Sequence, residues 1–90
     1  MWKKIGSFSV DSGTFLISDP CYLQDKKHIS KIDKACLEML EENKSSICAR
    51  FEMGHEGLAV IANTGIGDGY FDVFERIKKD GSKEIKIIFR

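Results

Sequence analysis

The hydrophobic and polar positions along the chain change period twice, which predicts strands near both ends and a helix between them. Residues 3–10 alternate loosely, and residues 14–18 form a short apolar run rich in strand-forming types. The turn at 11–13 contains aspartate, serine and glycine, so we expect these two segments to form a hairpin. Asp19-Pro20 ends it, because proline cannot donate a hydrogen bond to a sheet.

A period of three to four residues then indicates an amphipathic helix of about 12–15 residues. Its predicted apolar stripe consists of Ile29, Ile32, Cys36, Met39 and Leu40, with Leu37 at the flank. Ser30 and Asp33 resemble a capping box, and Asp25 offers a cap for an earlier start. The other face carries charges of both signs, which we interpret as a solvated surface.

The second half of the chain returns to a period of two, which is typical of strands. Residues 47–52 alternate, and residues 53–57 have the composition of a hairpin loop. Residues 58–62 are almost continuously apolar, as expected of a central strand covered on both faces.

A final hairpin is predicted by the turn signal Asp80-Gly81 between residues 70–78 and 83–90. The inward face of its last strand consists of Ile85, Ile87 and Phe89. The resulting order, ββ-α-ββββ, predicts an α+β fold in a single domain over residues 1–90. We expect a mainly antiparallel sheet of about six strands, with one amphipathic helix packed on one face.

The balance of charges argues against long nucleic acid as a partner and favours association between copies of the chain. The chain has 14 Lys and Arg residues and 14 Asp and Glu residues, so its formal net charge is zero. A domain that holds long nucleic acid through its phosphates is usually strongly basic, so we expect no such partner. A charge near zero weakens self-repulsion and favours a homo-oligomer.

The cysteines and the lack of a long apolar run indicate a reducing, aqueous compartment. Cys21, Cys36 and Cys48 are an odd number without a C-x-x-C pair, which excludes a complete disulfide set and an all-cysteine zinc site. No segment approaches the roughly 20 apolar residues of a membrane helix, and residues 1–11 lack the apolar core of a signal peptide. We therefore expect a cytoplasmic protein without a membrane partner, located in the host cytoplasm if a phage encodes it.

The segment at 18–22 places a carboxylate, a thiol and a phenol together on a proline-containing loop. A cysteine nucleophile needs a group that stabilises its thiolate, and neither histidine of the chain has a motif-defined relation to Cys21. We therefore assign no catalytic residue. The structural interpretation is that Asp19 caps a turn, Cys21 packs, and Tyr22 covers the sheet edge.

The loop at 64–70 contains three glycines in five residues, so its amide groups can approach and surround an anion. A strand follows it, whereas Walker and dinucleotide loops are followed by a helix. The match to a phosphate loop is therefore weak. A wide turn with positive-φ glycines is the structural alternative, and a backbone-lined contact to a ligand is the functional one.

Four acidic residues, Asp11, Asp19, Asp68 and Asp72, lie on or beside predicted loops. If these loops converged, the carboxylates could hold Mg²⁺ or Ca²⁺. No calcium-loop spacing is present and aspartate is common in turns, so we expect neither a metal nor another cofactor. The two histidines lack a second nitrogen ligand at a suitable spacing, and we interpret them as surface residues.

Aromatic side chains are numerous on the strand predicted after the glycine-rich loop. Tyr70 and Phe74 share one face of it, while Phe71 and Val73 share the other. One face should cover the helix-backed core. The other face then needs something else to bury it, and another protomer is the obvious candidate.

Two separated parts of the chain resemble a pattern in small bacterial and phage proteins. The first comprises the blocks VDSG and ISDPCY at 10–13 and 17–22, and the second is TGIGDGYFDV at 64–73. The resemblance implies a bacterial or phage origin. It brings no reaction and no catalytic residue.

These features together predict a non-enzymatic module that binds a small polar, nucleotide-like ligand in a pocket between protomers. The predicted contacts are Asp19, Tyr22, Arg50, Gly67, Asp68, Gly69, Tyr70 and Arg76. In a phage, such a protein would sequester a signalling nucleotide of the host. Two alternatives stay open: a metal-dependent hydrolase using Asp11, Asp19 and Asp68, and a protein-inhibiting module that acts through an exposed strand edge or aromatic patch.

Overall fold

A computed structural model describes the whole chain, residues 1–90, which divides into two compact units. The first unit consists of Met1–Gly13 and Thr64–Arg90, and the second consists of Thr14–Asn63. The elements are β1 (Lys3–Val10), β2 (Thr14–Ser18), a 3₁₀-helix (Pro20–Gln24), α1 (Lys26–Glu41), β3 (Ser46–Arg50), β4 (Glu56–Asn63), β5 (Gly69–Ile77) and β6 (Lys83–Ile87). The α+β class and the order ββ-α-ββββ are confirmed, and the single domain stays a prediction.

The six strands form two antiparallel sheets of three, in the orders β1-β5-β6 and β2-β4-β3. The predicted hairpin of β1 with β2 is therefore wrong, because Phe8 of β1 lies opposite Phe71 and Ile17 of β2 lies opposite Val60. A turn signal specifies a reversal of the chain, whereas the partner of a strand depends on which apolar faces can be buried together. The predicted hairpins of β3 with β4 and of β5 with β6 are confirmed.

The first unit is built on β5, its central strand. Val10 and Phe71 are buried, and the Phe71 ring contacts Phe89 at a centroid distance of 4.8 Å. Of the inward face predicted for β6, Ile87 lies opposite Val73 of the apolar face, while Ile85 is largely exposed. Phe71 therefore anchors the small core of this unit.

The opposite face of β5 is mostly polar, and its burial by a second protomer stays a prediction. Ser7 donates a hydrogen bond to Asp72 at 2.8 Å, and the Lys86 ammonium lies 5.5 Å from the centroid of the Phe74 ring. Tyr70 is exposed.

The second unit places α1 across β3 and β4. Its buried core comprises Ile32, Ala35, Met39, Ala49, Leu58, Ala59 and Ile61. Ile29 and Leu40, predicted to belong to the stripe, are 40% and 67% exposed, because the buried part of the helix is centred on Ile32 and Met39. The strand predicted to be covered on both faces is covered on one, since Val60 is 47% exposed.

Two aspartates begin the helical segments of this unit. The Asp25 carboxylate accepts a hydrogen bond from the Lys27 amide at 2.8 Å, so the helix has the earlier of its two predicted starts. The Asp19 carboxylate accepts from the Cys21 amide at 2.9 Å and caps the 3₁₀-helix, as predicted. Cys21 is exposed, so the expectation that it packs is wrong.

Candidate functional site

The glycine-rich loop of the first unit is closed by a threonine that the glycine pattern did not reveal. Thr64 is buried, and its hydroxyl donates to the Gly67 carbonyl at 2.6 Å while accepting from the Ile66 amide at 3.3 Å. Its own amide donates to the Gly13 carbonyl at 2.9 Å. One amide that an anion would need is therefore already bonded within the loop, which favours the wide-turn interpretation.

The loops at 11–13 and 64–69 come together within this unit, which is one part of the convergence that the metal hypothesis required; the approach of the Asp19 loop, required by both hypotheses, stays a prediction. A Cβ atom on Gly13, which has a φ of 73°, would lie 3.5 Å from the Gly67 Cα atom. Gly65 and Gly67 also have positive φ, which supplies the predicted turn conformation. The backbone of the turn at 11–13 therefore packs directly against the backbone of the loop at 64–69.

The predicted ligand contacts are distributed over both units. Gly67, Asp68, Gly69, Tyr70 and Arg76 belong to the first unit, and Asp19, Tyr22 and Arg50 belong to the second. The guanidinium of Arg76 is held by the Glu84 carboxylate and lies 4.7 Å from the centroid of the Trp2 ring. Arg76 therefore already has an anionic partner.

Tyr22 belongs to a cluster of rings in the second unit. Its ring meets Phe51 edge-on at 5.1 Å and His28 edge-on at 5.3 Å, while His55 stacks on Phe51 at 4.6 Å. His28 is half-buried rather than a simple surface residue, and its Nδ1 atom has no hydrogen-bond partner. The cluster packs against the core of this unit, so Tyr22 has a structural role there.

A groove of about 530 Å³ in the second unit lies between α1 and β3. Its apolar floor includes Ala35, Ile47 and Phe51. Its charged lining residues are Lys31, Lys34, Lys44, Arg50, Glu38 and Glu52. We call this feature the α1–β3 groove. Of the predicted contacts, Arg50 alone lines it.

The helical period explains one wall of the groove. Lys31, Lys34 and Glu38 are three, four and seven residues apart, so their side chains project from one flank of α1 beside the buried stripe. Neither lysine forms an ion pair with a carboxylate. Both ammonium groups are therefore available to an anion. The spacing was visible in the sequence, but nothing in it indicated that this flank borders a strand edge.

The other two cations of the groove have partners of their own. The Lys44 ammonium lies 2.8 Å from Glu42, and this hydrogen bond is the main cause that raises the pKa of Lys44 above its usual value. Arg50 donates to the Glu56 carboxylate and to the Gly54 carbonyl, both at 3.1 Å. Lys31 and Lys34 are therefore the unpaired cations of the groove, which also contains the carboxylates of Glu38 and Glu52.

The candidates for metal and thiol chemistry gain no geometric support. Within neither unit do three or more His, Cys, Asp or Glu side chains come together in a way that could hold a metal ion. All three cysteines are free, and burial together with the Asp33 carboxylate raises the pKa of the Cys36 thiol. A raised pKa disfavours the thiolate, which is the reactive form.

Acid should destabilise the first unit through Asp72 and Glu84. Hydrogen bonds from Ser7 and Lys4 lower the pKa of Asp72, and a hydrogen bond from Arg76 lowers that of Glu84. Because these folded-state pKa values lie below the unfolded ones, the unfolded chain binds more protons in acid. The stabilisation is present above pH about 5 and is lost as pH falls through the folded-state pKa values.

Melting temperatures measured between pH 7 and pH 3 test this expectation. Asp72→Asn should make the loss of stability in acid shallower, and Ser7→Ala should do so partially because it removes the largest cause of the shift. An acid dependence that is identical in the wild type and in Asp72→Asn would contradict the assignment.

No protein-family model, curated protein or solved structure matches the chain. The resemblance to small bacterial and phage proteins therefore stays an expectation. None of the helices has both the length and the apolar character needed to span a membrane.

Proposed function

We propose that this protein is a non-enzymatic module that binds a small anionic, nucleotide-like ligand in the α1–β3 groove. The observation that carries the proposal is the pair Lys31 and Lys34, two unpaired cations on one wall of a groove of about 530 Å³. This volume lies within the range of roughly 300–1,000 Å³ typical of small-ligand sites.

The lining of the groove suits a ligand with a charged end and an apolar end. Lys31, Lys34 and Arg50 offer donors to phosphate oxygens, while Ala35 and Ile47 offer apolar surface. Glu38 and Glu52 place carboxylates in the same groove, and these can accept hydrogen bonds from sugar hydroxyls or base amino groups. A nucleotide can use all of these contacts, because it has phosphate oxygens, a flat ring with apolar faces, and hydroxyl and amino groups that donate hydrogen bonds.

The same lining supports binding without turnover. It contains one cysteine, Cys48, and no histidine, so no imidazole is present there to activate the thiol. We therefore propose that the bound ligand is released chemically unchanged. In a phage, this activity would sequester a signalling nucleotide of the host cell.

Calorimetric titration with ADP, and with adenosine as an uncharged comparison, tests this function. We expect ADP to bind and adenosine to bind much more weakly, because the phosphates supply the contacts to the lysines. Lys31→Gln combined with Lys34→Gln should weaken ADP binding by roughly tenfold or more, since hydrogen bonds to charged groups contribute to affinity on that scale. Lys79→Gln is the matched control, because Lys79 is exposed in the turn between β5 and β6.

Three outcomes would count against the proposal in different ways. If ADP, GDP, cyclic AMP and inorganic phosphate all fail to bind, the anion-binding function is wrong. If the double lysine variant binds as tightly as Lys79→Gln, the ligand occupies another site. If ADP is consumed over time, and Asp68→Asn or a chelator stops its consumption, the hydrolase alternative replaces the binding function.

A further inference from the structure

One strand at the rim of the α1–β3 groove has an open backbone edge. β3 is an outer strand of its sheet, with β4 on one side only. The Asn63 amide donates to the Ser45 carbonyl, and the Phe51 amide donates to the His55 carbonyl, both at 3.0 Å. Alternate residues of an antiparallel strand direct their amide and carbonyl groups to opposite sides. The odd-numbered residues therefore bond towards β4, and Ser46, Cys48 and Arg50 direct their backbone groups outward.

We propose that a second copy of this chain pairs with this edge, so that two β3 strands run antiparallel around a two-fold axis at Cys48. The β2-β4-β3 sheet of one copy and the same sheet of the other then form one continuous sheet of the order β2-β4-β3-β3-β4-β2. Cys48 lies opposite Cys48 of the partner subunit, and Ser46 lies opposite Arg50 of the partner subunit. In this register all three outward-directed residues exchange hydrogen bonds with the second copy.

The charges that flank β3 are complementary in this register. Lys44, whose ammonium contacts Glu42 in its own copy, precedes the strand, and Glu52 lies in the turn that follows it; both are exposed, and the pairing brings Lys44 near Glu52 of the partner subunit. The two-fold axis creates this contact twice. Opposite charges directly across a strand pair stabilise it, whereas like charges destabilise it. A formal net charge of zero adds no long-range repulsion between copies.

The second copy also completes the groove, a consequence that rests on the proposed function. The α1–β3 groove is bounded by α1 on one side and ends at the open edge of β3. Pairing adds the second α1 on the far side, so that Lys31 and Lys34 of both copies border one channel. An anion bound there reduces the repulsion between the two sets of lysines, so ADP should strengthen association.

Sedimentation velocity over a range of protein concentrations tests the pairing, with Cys48→Pro and Cys48→Ser as a matched pair of variants. Proline removes the outward amide of Cys48 without removing a bond to β4, and outer strands tolerate proline at such positions. We expect Cys48→Ser to remain dimeric and Cys48→Pro to raise the dimer dissociation constant roughly tenfold or more, because two hydrogen bonds are lost per dimer. Circular dichroism verifies that both variants are folded.

A charge exchange provides a second test that does not disturb the backbone. Lys44→Glu alone places two glutamates opposite each other, and Glu52→Lys alone places two lysines opposite each other, so each should weaken the dimer. The double variant restores opposite charges and should restore dimerisation. Recovery in the double variant distinguishes a contact between copies from a general loss of stability.

The pairing is overturned if the wild type stays monomeric with and without ADP, or if Cys48→Pro and both single charge variants dimerise as the wild type does. The outcomes for the two proposals are separable. A monomer that binds ADP removes the pairing and leaves the binding function, whereas a dimer that ignores ADP and phosphate removes the binding function and leaves the pairing.

Discussion

Ile61→Ala should lower the free energy of unfolding by about 3 kcal/mol, within the range of about 2–5 kcal/mol for the truncation of a buried aliphatic side chain. Ile61 has no exposed surface, lies opposite Ile47 in the central strand of its sheet, and belongs to the core beneath α1. Its truncation removes apolar burial and leaves a cavity. A chain of this length has a total stability of roughly 5–13 kcal/mol, so this is a large fraction of it.

Val60→Ala is the matched control for Ile61→Ala. Val60 is the preceding residue of β4, but it faces away from α1 and is 47% exposed. We expect it to cost less than about 1 kcal/mol, because its side chain is already largely in water. Urea unfolding curves of both variants measure the difference. Equal losses of stability would show that α1 does not cover this face of β4.

Gly69→Ala should cost about 2 kcal/mol, for a steric reason that involves a single aromatic ring. A Cβ atom on Gly69 would lie 2.6 Å from the Phe71 Cζ atom and 3.1 Å from its Cε1 atom, which is too close for either to remain in place. Phe71 is buried and also contacts Phe89, so its ring cannot move without disturbing the core of the first unit. Overpacking of this kind typically costs about 1–3 kcal/mol.

A double-mutant cycle with Phe71→Leu checks the origin of this cost. Leucine lacks the outer ring atoms, so Gly69→Ala should lose at least half of its effect in the Phe71→Leu background. Urea unfolding of the four proteins yields the coupling. If Gly69→Ala costs as much in both backgrounds, the ring is not the cause. A strong coupling would mean that the packing of Phe71 requires glycine at position 69. The prediction that Gly69 contacts a ligand would then need separate support.

The local features of the fold were predictable because short stretches of chain decide them. The amphipathic period predicted α1, and Asp25 could cap it wherever the apolar stripe began. Asp80-Gly81 predicted the β5–β6 hairpin, since that turn requires the positive φ that Gly81 adopts. The alternating pattern likewise predicted the strands, because one face of each must be buried.

The candidate site was less predictable, because it depends on contacts between distant segments. Of the eight predicted contacts, Arg50 alone lines the α1–β3 groove, while the charge pattern of the helix predicted only a solvated face for the unpaired Lys31 and Lys34. The sequence predicts that a charged helix face lies in solvent, because it does not show which elements pack beside that face. The function of a lysine there depends on which strand packs against the adjacent stripe.

The sequence by itself determined the fold class, the number and order of the strands, the helix and two of the hairpins, because hydrophobic period and turn chemistry are encoded within a few residues. The tertiary structure alone decided which strands pair. β1 pairs with β5 and β2 with β4, so the first turn leads from one sheet to another. It also placed the open edge of β3 beside two free lysines. Both outcomes depend on which apolar faces can be buried together, and that is a property of the whole chain.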